Sequence, residues 1–210
     1  MKNLRSEIIK YSKMLNSKNL SALRSGNISS RYKDGFLITP SGKKYSALKN
    51  NDIVFVSLNG YFDKKKGIPS SEWKFHQDIY RNKKDAKAIV HAHSTCATAV
   101  STHKRGIPSF HYMVAMAGGH DIKCAKYATF GTRELSKNIL KALKDRKACL
   151  ISNHGQIAFE ENLPKAFELA EEVENISLQY ITSLKLGKPK ILSINEMKKV
   201  LSKAKNYKRG

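Results

Sequence analysis

His91-Ala92-His93 is the densest chemical signal in the chain. Ala88, Ile89 and Val90 lead into it as a short apolar run that reads as a strand. Alternate residues of a strand project from one face, about 6.6 Å apart along the chain. Two imidazoles at that spacing suit one Zn2+ ion, tetrahedral or open-sided. A third ligand must come from elsewhere, and His154, beside Gly155 at the end of another apolar run, is the best placed. Taken alone, the spacing equally suits two strand histidines with solvent or backbone partners. Glu72, in Ser70-Ser71-Glu72, stands at an expected helix start, where unpaired N–H groups and the helix dipole favour anions. The triplet reads either as an acid/base beside two serines that hold a phosphate, or as a capping pair with a first-turn acid. Gly26-Asn27 and Thr39-Pro40-Ser41-Gly42 carry small hydroxyl and amide groups that could close the same phosphate nest. Singly, each also reads as a plain turn.

Such scattered groups need a scaffold that returns distant segments to one place. Leu4, Ile8, Tyr11 and Leu15 recur at helical spacing, so residues 3–16 are expected to form an amphipathic helix. Residues 26–29 and 36–39 read as a hairpin with Asp34-Gly35 as its turn, and residues 53–58 as a buried strand closed by Asn59-Gly60. Residues 71–83 are expected to be helical from Ser71 as N-cap, with Phe75, Ile79 and Tyr80 on the apolar face. Residues 88–93 read as a strand, 132–144 as a helix and 148–152 as a strand. The turn 153–155 then leads into 156–159. Ala166, Leu169, Ala170, Val173, Ile176 and Tyr180 mark a long helix over 163–185. This irregular alternation favours one α/β domain over residues 1–210, with a mixed, largely antiparallel central sheet flanked by helices.

Composition narrows the function classes. The 210 residues carry 39 Lys+Arg against 17 Asp+Glu, a formal charge of +22, with 40% hydrophobic residues. A field of that sign attracts anions such as nucleic acid or a phosphorylated metabolite. The lysines are spread along the chain without an aromatic-basic repeat, so a solvated lysine-rich surface is the expected reading and no nucleic-acid partner is assigned. Residues 188–210 are locally basic, but the spacing around Val200 and Leu201 suggests an amphipathic end. No apolar run approaches the ~20 residues of a membrane span, and the first ten residues are too charged for a signal-peptide core. Cys96, Cys124 and Cys149 form no C-x-x-C pair, which points to reduced, buried thiols in a cytoplasmic protein.

Five segments occur together in one order: Gly26-Asn27-Ile28-Ser29, Thr39-Pro40-Ser41-Gly42, Ser70-Ser71-Glu72, His91-Ala92-His93 and Asn153-His154-Gly155. Their order and spacing resemble the class II aldolase/adducin family over nearly the whole chain. Segments 107–113 and 127–135 are similar to its branch that cleaves L-fuculose 1-phosphate. The resemblance implies one Zn2+ per subunit on His91, His93 and His154, and Glu72 as catalytic acid/base. It implies a phosphate site at Gly26, Asn27, Ser41, Gly42, Ser70 and Ser71, with Ser41 replacing a threonine common in the aldolases. Tyr112 matches a catalytic tyrosine that reaches into a neighbouring subunit's site, implying a homotetramer with sites at its interfaces. Tyr207 matches a second tyrosine on the family's tail, although the residues after it differ. The implied reaction cleaves a ketose 1-phosphate to dihydroxyacetone phosphate and an aldehyde, L-lactaldehyde for fuculose phosphate, with the ion stabilising the enediolate charge. L-Ribulose-5-phosphate 4-epimerases and methylthioribulose-1-phosphate dehydratases share the scaffold; the epimerases usually carry Asp where Glu72 stands. The metal-free adducin branch is expected to lose the three histidines, which are all present.

Overall fold

The computed structural model describes residues 2–207. A helix α1 (Lys2–Ser17) precedes the hairpin β1 (Asn27–Tyr32) and β2 (Gly35–Ile38), followed by β3 (Val54–Ser57). Helix α2 (Trp73–Asn82), strand β4 (Ala88–Ala92) and helix α3 (Thr95–Thr102) form the middle of the chain. The last part holds β5 (Cys124–Ala125), α4 (Arg133–Ala142), β6 (Ala148–Ile151), β7 (Gly155–Glu160), α5 (Leu163–Lys185) and α6 (Ile194–Tyr207). The strands form one seven-stranded sheet in the order β3-β2-β1-β4-β7-β6-β5. Every pairing is antiparallel except β5 with β6.

Strand parity divides the core into two layers. Ala88, Val90 and Ala92 of β4 face a core shared with Ile8 and Leu15 of α1, Ala97 of α3 and the inner face of α5. Ile89 points the other way, into a second core with Phe75, Ile79 and Tyr80 of α2 and Leu135 and Ile139 of α4. Period-2 alternation therefore sends His91, like Ile89, to the side of the sheet covered by α2. The expected helix over 163–185 coincides with α5, where Asn162 caps the start by accepting from the Lys165 N–H at 2.9 Å.

Several local expectations shift. The hairpin turn is Lys33-Asp34, with Lys33 at φ +50, while Gly35 already pairs with Tyr32 in the ladder. Gly35 belongs there because a Cβ would strike the backbone of Val56. Helix α2 begins at Trp73 with Glu72, not Ser71, at the N-cap, and the Glu72 side chain makes no cap hydrogen bond. Strand β4 ends at Ala92, so His93 lies just beyond it. Helix α3 has no strong apolar stripe in its sequence to announce it. The basic end forms α6, whose Met197 is fully buried. All three cysteines are free thiols, yet only Cys149 is buried and the other two are half-exposed. No helix of the described residues is long and apolar enough to cross a membrane.

Candidate metal centre

Sheet register assembles the centre. In the β1–β4 pair, Asn27 stands opposite His91, and in the β4–β7 pair Ala92 stands opposite Gln156. His154 enters from the turn before β7, where Asn153 takes φ +53. The backbone N–H of His93 leaves the sheet and donates to Ser21 Oγ at 2.9 Å. His91 and His93 come together as their spacing leads one to expect, with their Nε2 atoms 2.9 Å apart. Glu72 arrives from the start of α2, with Oε2 3.2 Å from His91 Nε2 and Oε1 3.2 Å from His154 Nε2. One ligand atom from each of Glu72, His91, His93 and His154 lies within 4.8 Å of the others.

The donor chemistry fits a cation. His91 Nδ1 lies 2.8 Å from the Gln156 carbonyl, which only accepts, so Nδ1 carries the proton. In the neutral ring Nε2 is then a bare lone pair, directed at the Glu72 carboxylate and at His93. Burial, aided by His91 and His154 and opposed by Glu72, pushes the His93 imidazole down to about 3, which keeps it neutral and able to ligate. Burial pushes the Glu72 carboxyl up, but His91 and His154, when protonated, outweigh it and hold the group well below the ordinary carboxylate range; a bound cation in place of those protons does the same. Glu72 Oε1 is buried and makes no hydrogen bond despite the nearby His154 nitrogen. With His91 neutral, its Nε2 lone pair faces the Glu72 Oε2 lone pairs at 3.2 Å, a repulsion that a shared cation removes.

A buried chain of hydrogen bonds fixes Glu72 from behind. Asn27 Nδ2 donates to Glu72 Oε2 at 3.0 Å, which leaves Asn27 Oδ1 to accept from His76 Nε2. His76 Nδ1 then accepts from the Ser29 hydroxyl at 2.7 Å, and Ser29 accepts from Tyr80 at 2.8 Å. Every donor along Tyr80, Ser29, His76 and Asn27 thus points toward the carboxylate. Asn27 and Ser29 share the α2-facing side of β1, and His76 and Tyr80 share one face of α2 through i, i+4 spacing. Gly26, at φ +77, permits the approach: a Cβ there would lie 2.6 Å from the His91 carbonyl.

Above the cluster opens a cavity of about 360 Å³ that Glu72, His93 and His154 help to line. All six residues expected to bind phosphate, Gly26, Asn27, Ser41, Gly42, Ser70 and Ser71, line it. Ser41 N–H donates to the Ile68 carbonyl and Ser70 N–H to that of Thr39, each at 3.0 Å, so these two loops run together. The structure adds Arg24, Asn153, Tyr127 and Phe130 to the lining. The last two are exposed aromatic side chains at the mouth, which hydrophobic periodicity does not flag. Their loop is held by the Lys74 ammonium, which donates to the Gly131 carbonyl at 2.9 Å. Tyr112 does not join this cavity; it opens a 3-10 helix at Tyr112–Ala117, is 53% exposed and packs on His111. Tyr207 is the last residue of α6, and its side chain lies outside the described residues.

The chain is similar to known proteins over most of its length. A family model described as the class II aldolase and adducin N-terminal domain matches residues 6–181. The L-fuculose phosphate aldolase of Escherichia coli strain K12 is 51% identical over 183 residues, 87% of this chain and 85% of that protein. A 5-methylthioribulose-1-phosphate/5-deoxyribulose-1-phosphate aldolase of Rhodospirillum rubrum is 46% identical over 204 residues, 97% of this chain and 92% of its own length. A solved structure of an L-fuculose 1-phosphate aldolase superposes with a TM-score of 0.94 at 39% identity, covering 98% of this chain and 97% of the other. A match across most of the chain makes this protein a member of the class II aldolase/adducin family.

Proposed function

We propose that this protein is a metal-dependent aldolase that cleaves L-fuculose 1-phosphate to dihydroxyacetone phosphate and L-lactaldehyde. The observation that carries the reading is the convergence of Glu72, His91, His93 and His154 beneath a cavity lined by hydroxyl and glycine loops. His91, His93 and His154 hold the divalent cation, and three imidazoles make Zn2+ the expected one. Bound there, the ion supplies Lewis-acid polarisation of a substrate carbonyl.

The remaining work falls to the chain. The backbone N–H groups and hydroxyls of Ser41, Ser70 and Ser71, with Gly26, Asn27 and Gly42, bind the phosphate beside the start of α2. Glu72 is ionised without substrate; in the reaction it takes up a proton, balanced by the one released from the C4 hydroxyl, and delivers it to C3 of the three-carbon fragment. Tyr112 of the partner subunit handles the proton on the C4 oxygen, in a homotetramer whose sites form at subunit interfaces; its exposure in the single chain supports an intersubunit role. Tyr207 contributes from the tail. The three free thiols support a cytoplasmic setting.

The Rhodospirillum rubrum relative, aligned over 97% of this chain, favours 5-methylthioribulose or 5-deoxyribulose 1-phosphate as the second reading. Both classes share the phosphate end and differ at the aldehyde end, where a few apolar contacts set selectivity worth about 1–3 kcal/mol. Zinc-loaded protein is to be incubated with L-fuculose 1-phosphate while dihydroxyacetone phosphate is followed in a coupled assay. Release that a chelator abolishes and Zn2+ restores is the expected result. Faster release from 5-deoxyribulose 1-phosphate moves the substrate, and no release from any of these ketose phosphates overturns the aldolase reading. Ribulose 5-phosphate and methylthioribulose 1-phosphate test the epimerase and dehydratase alternatives in the same series.

A further inference from the structure

Arg24 is the one lysine or arginine that lines the cavity among the described residues. It lies in the connection between α1 and β1, three residues before Asn27, and none of the family-matched positions includes it. Its Nη1 donates to the Gly42 carbonyl at 2.9 Å. A guanidinium carries five N–H donors in a fixed fork. Among the described residues that bond is the only one Arg24 makes, and no carboxylate pairs with it. The anchor is informative, because Gly42 belongs to the loop that presents Ser41 and runs beside Ser70. A Cβ on Gly42 would meet no atom within 4 Å, so the backbone there borders open space. An unpaired cation is thus tethered to the rim of a nest otherwise made of neutral hydroxyls, amides and backbone.

We propose that Arg24 is a direct phosphate ligand of this enzyme, binding two phosphoryl oxygens of the substrate through the N–H donors that Gly42 leaves free. The proposal rests on the reading that the substrate is a sugar phosphate, and it names the charge that selects such a substrate over an unphosphorylated ketose. Neutral donors alone meet a phosphate dianion with dipoles only; a guanidinium adds charge and a bidentate fit. Its tether also orders the fork before the substrate arrives, which lowers the cost of binding.

Two variants separate charge from scaffold. Arg24→Gln keeps a side-chain N–H donor and removes the charge, whereas Arg24→Lys keeps a point charge without the fork. Steady-state kinetics with the ketose phosphate that the wild type turns over fastest are measured for all three proteins, together with inhibition by inorganic phosphate. Arg24→Gln is expected to raise KM and the phosphate inhibition constant by about 10- to 100-fold, the size of a lost charge-assisted pair. Its kcat falls far less, and Arg24→Lys recovers part of the loss. If both constants in Arg24→Gln equal those of the wild type, the proposal is overturned. It is equally overturned if kcat falls while phosphate inhibition stays the same, because Arg24 then acts only as a brace on the Gly42 loop. A wild type that turns over no ketose phosphate sinks the aldolase reading instead. Calorimetric titration of inorganic phosphate into wild type and Arg24→Gln still decides Arg24 in that case, equal affinity counting against it.

Discussion

His91 can offer a lone pair to a cation because its Nδ1–H is committed to the Gln156 carbonyl. Removing one ligand and altering the acid/base should therefore separate. His93→Ala is expected to lose bound metal and activity together, measured by metal content after dialysis and by product release. Glu72→Gln keeps the three imidazoles, so metal is retained while kcat drops by roughly 10²- to 10⁴-fold; a Glu72→Gln enzyme of equal activity would refute the acid/base role. His76 gives a pH prediction for the metal-free protein. Burial, with nearby His91, lowers its imidazole from 6.5 to about 3. The unfolded chain binds the proton first on acidification, so stability is full above about pH 6.5 and falls as pH drops toward 3. Each such histidine contributes a slope of about 1.4 kcal/mol per pH unit within that window. Urea unfolding at pH 7.5 and 5.5 should show the loss. His76→Phe should show a shallower pH dependence and a cost of about 1–3 kcal/mol, since Asn27 Oδ1 and Ser29 lose their partner. An unchanged slope in that variant would remove His76 as the source.

At the scale of elements, agreement and error have separate causes. Helix α5 was legible to the residue because its apolar stripe is long and Asn162 with Pro164 marks its start. Helix α3 was not, since Thr95–Thr102 is built from small residues without a strong apolar stripe. Its first N–H groups are capped from another helix: the Glu174 carboxylate accepts from Cys96 N at 2.7 Å and Ala97 N at 2.8 Å. A sequence window around α3 contains no trace of that partner. The β4–β7 ladder is the element that holds two of the ligand segments together. At its end Gly155 leaves no room for a Cβ, which would strike the Ala92 carbonyl beside His93. Gly155→Ala should lower stability by about 1–3 kcal/mol, as overpacking does, and weaken zinc binding. Thermal melts and zinc titration read the two effects; full zinc affinity in a destabilised variant would show that the ladder does not set the ligand geometry.

For the whole molecule, the central question is whether one chain holds a full site. Tyr112 is outside the cavity of its own chain, so an intersubunit site makes two inactive variants complementary. His93→Ala supplies Tyr112 and Tyr112→Phe supplies the metal ligands. Mixed one to one and allowed to exchange subunits, they should regain activity at about a quarter of the sites. No recovery from a mixture shown to be hybrid by mass spectrometry would place the C4-oxygen proton with a group of the same chain. The +22 charge acts at this scale too, drawing phosphate dianions toward the protein, with the attraction screened beyond about 10 Å at about 0.1 M salt.

The sequence by itself determined the ligand types, the loop chemistry and most elements, because periodicity, glycine turns and metal-ligating side chains are local properties. It supplied His91, His93, His154 and Glu72, and the mixed sheet that carries them. Only the tertiary structure decided that the strand stops at Ala92, just before His93, and that Glu72 stands at the N-cap position of α2 without capping it, facing both His91 and His154. It alone joined Tyr80, Ser29, His76 and Asn27 behind the carboxylate and brought Arg24 to the cavity. These are long-range juxtapositions: each depends on strand register and helix packing across many residues, and no local pattern records which distant side chain will complete a hydrogen bond or neutralise a charge.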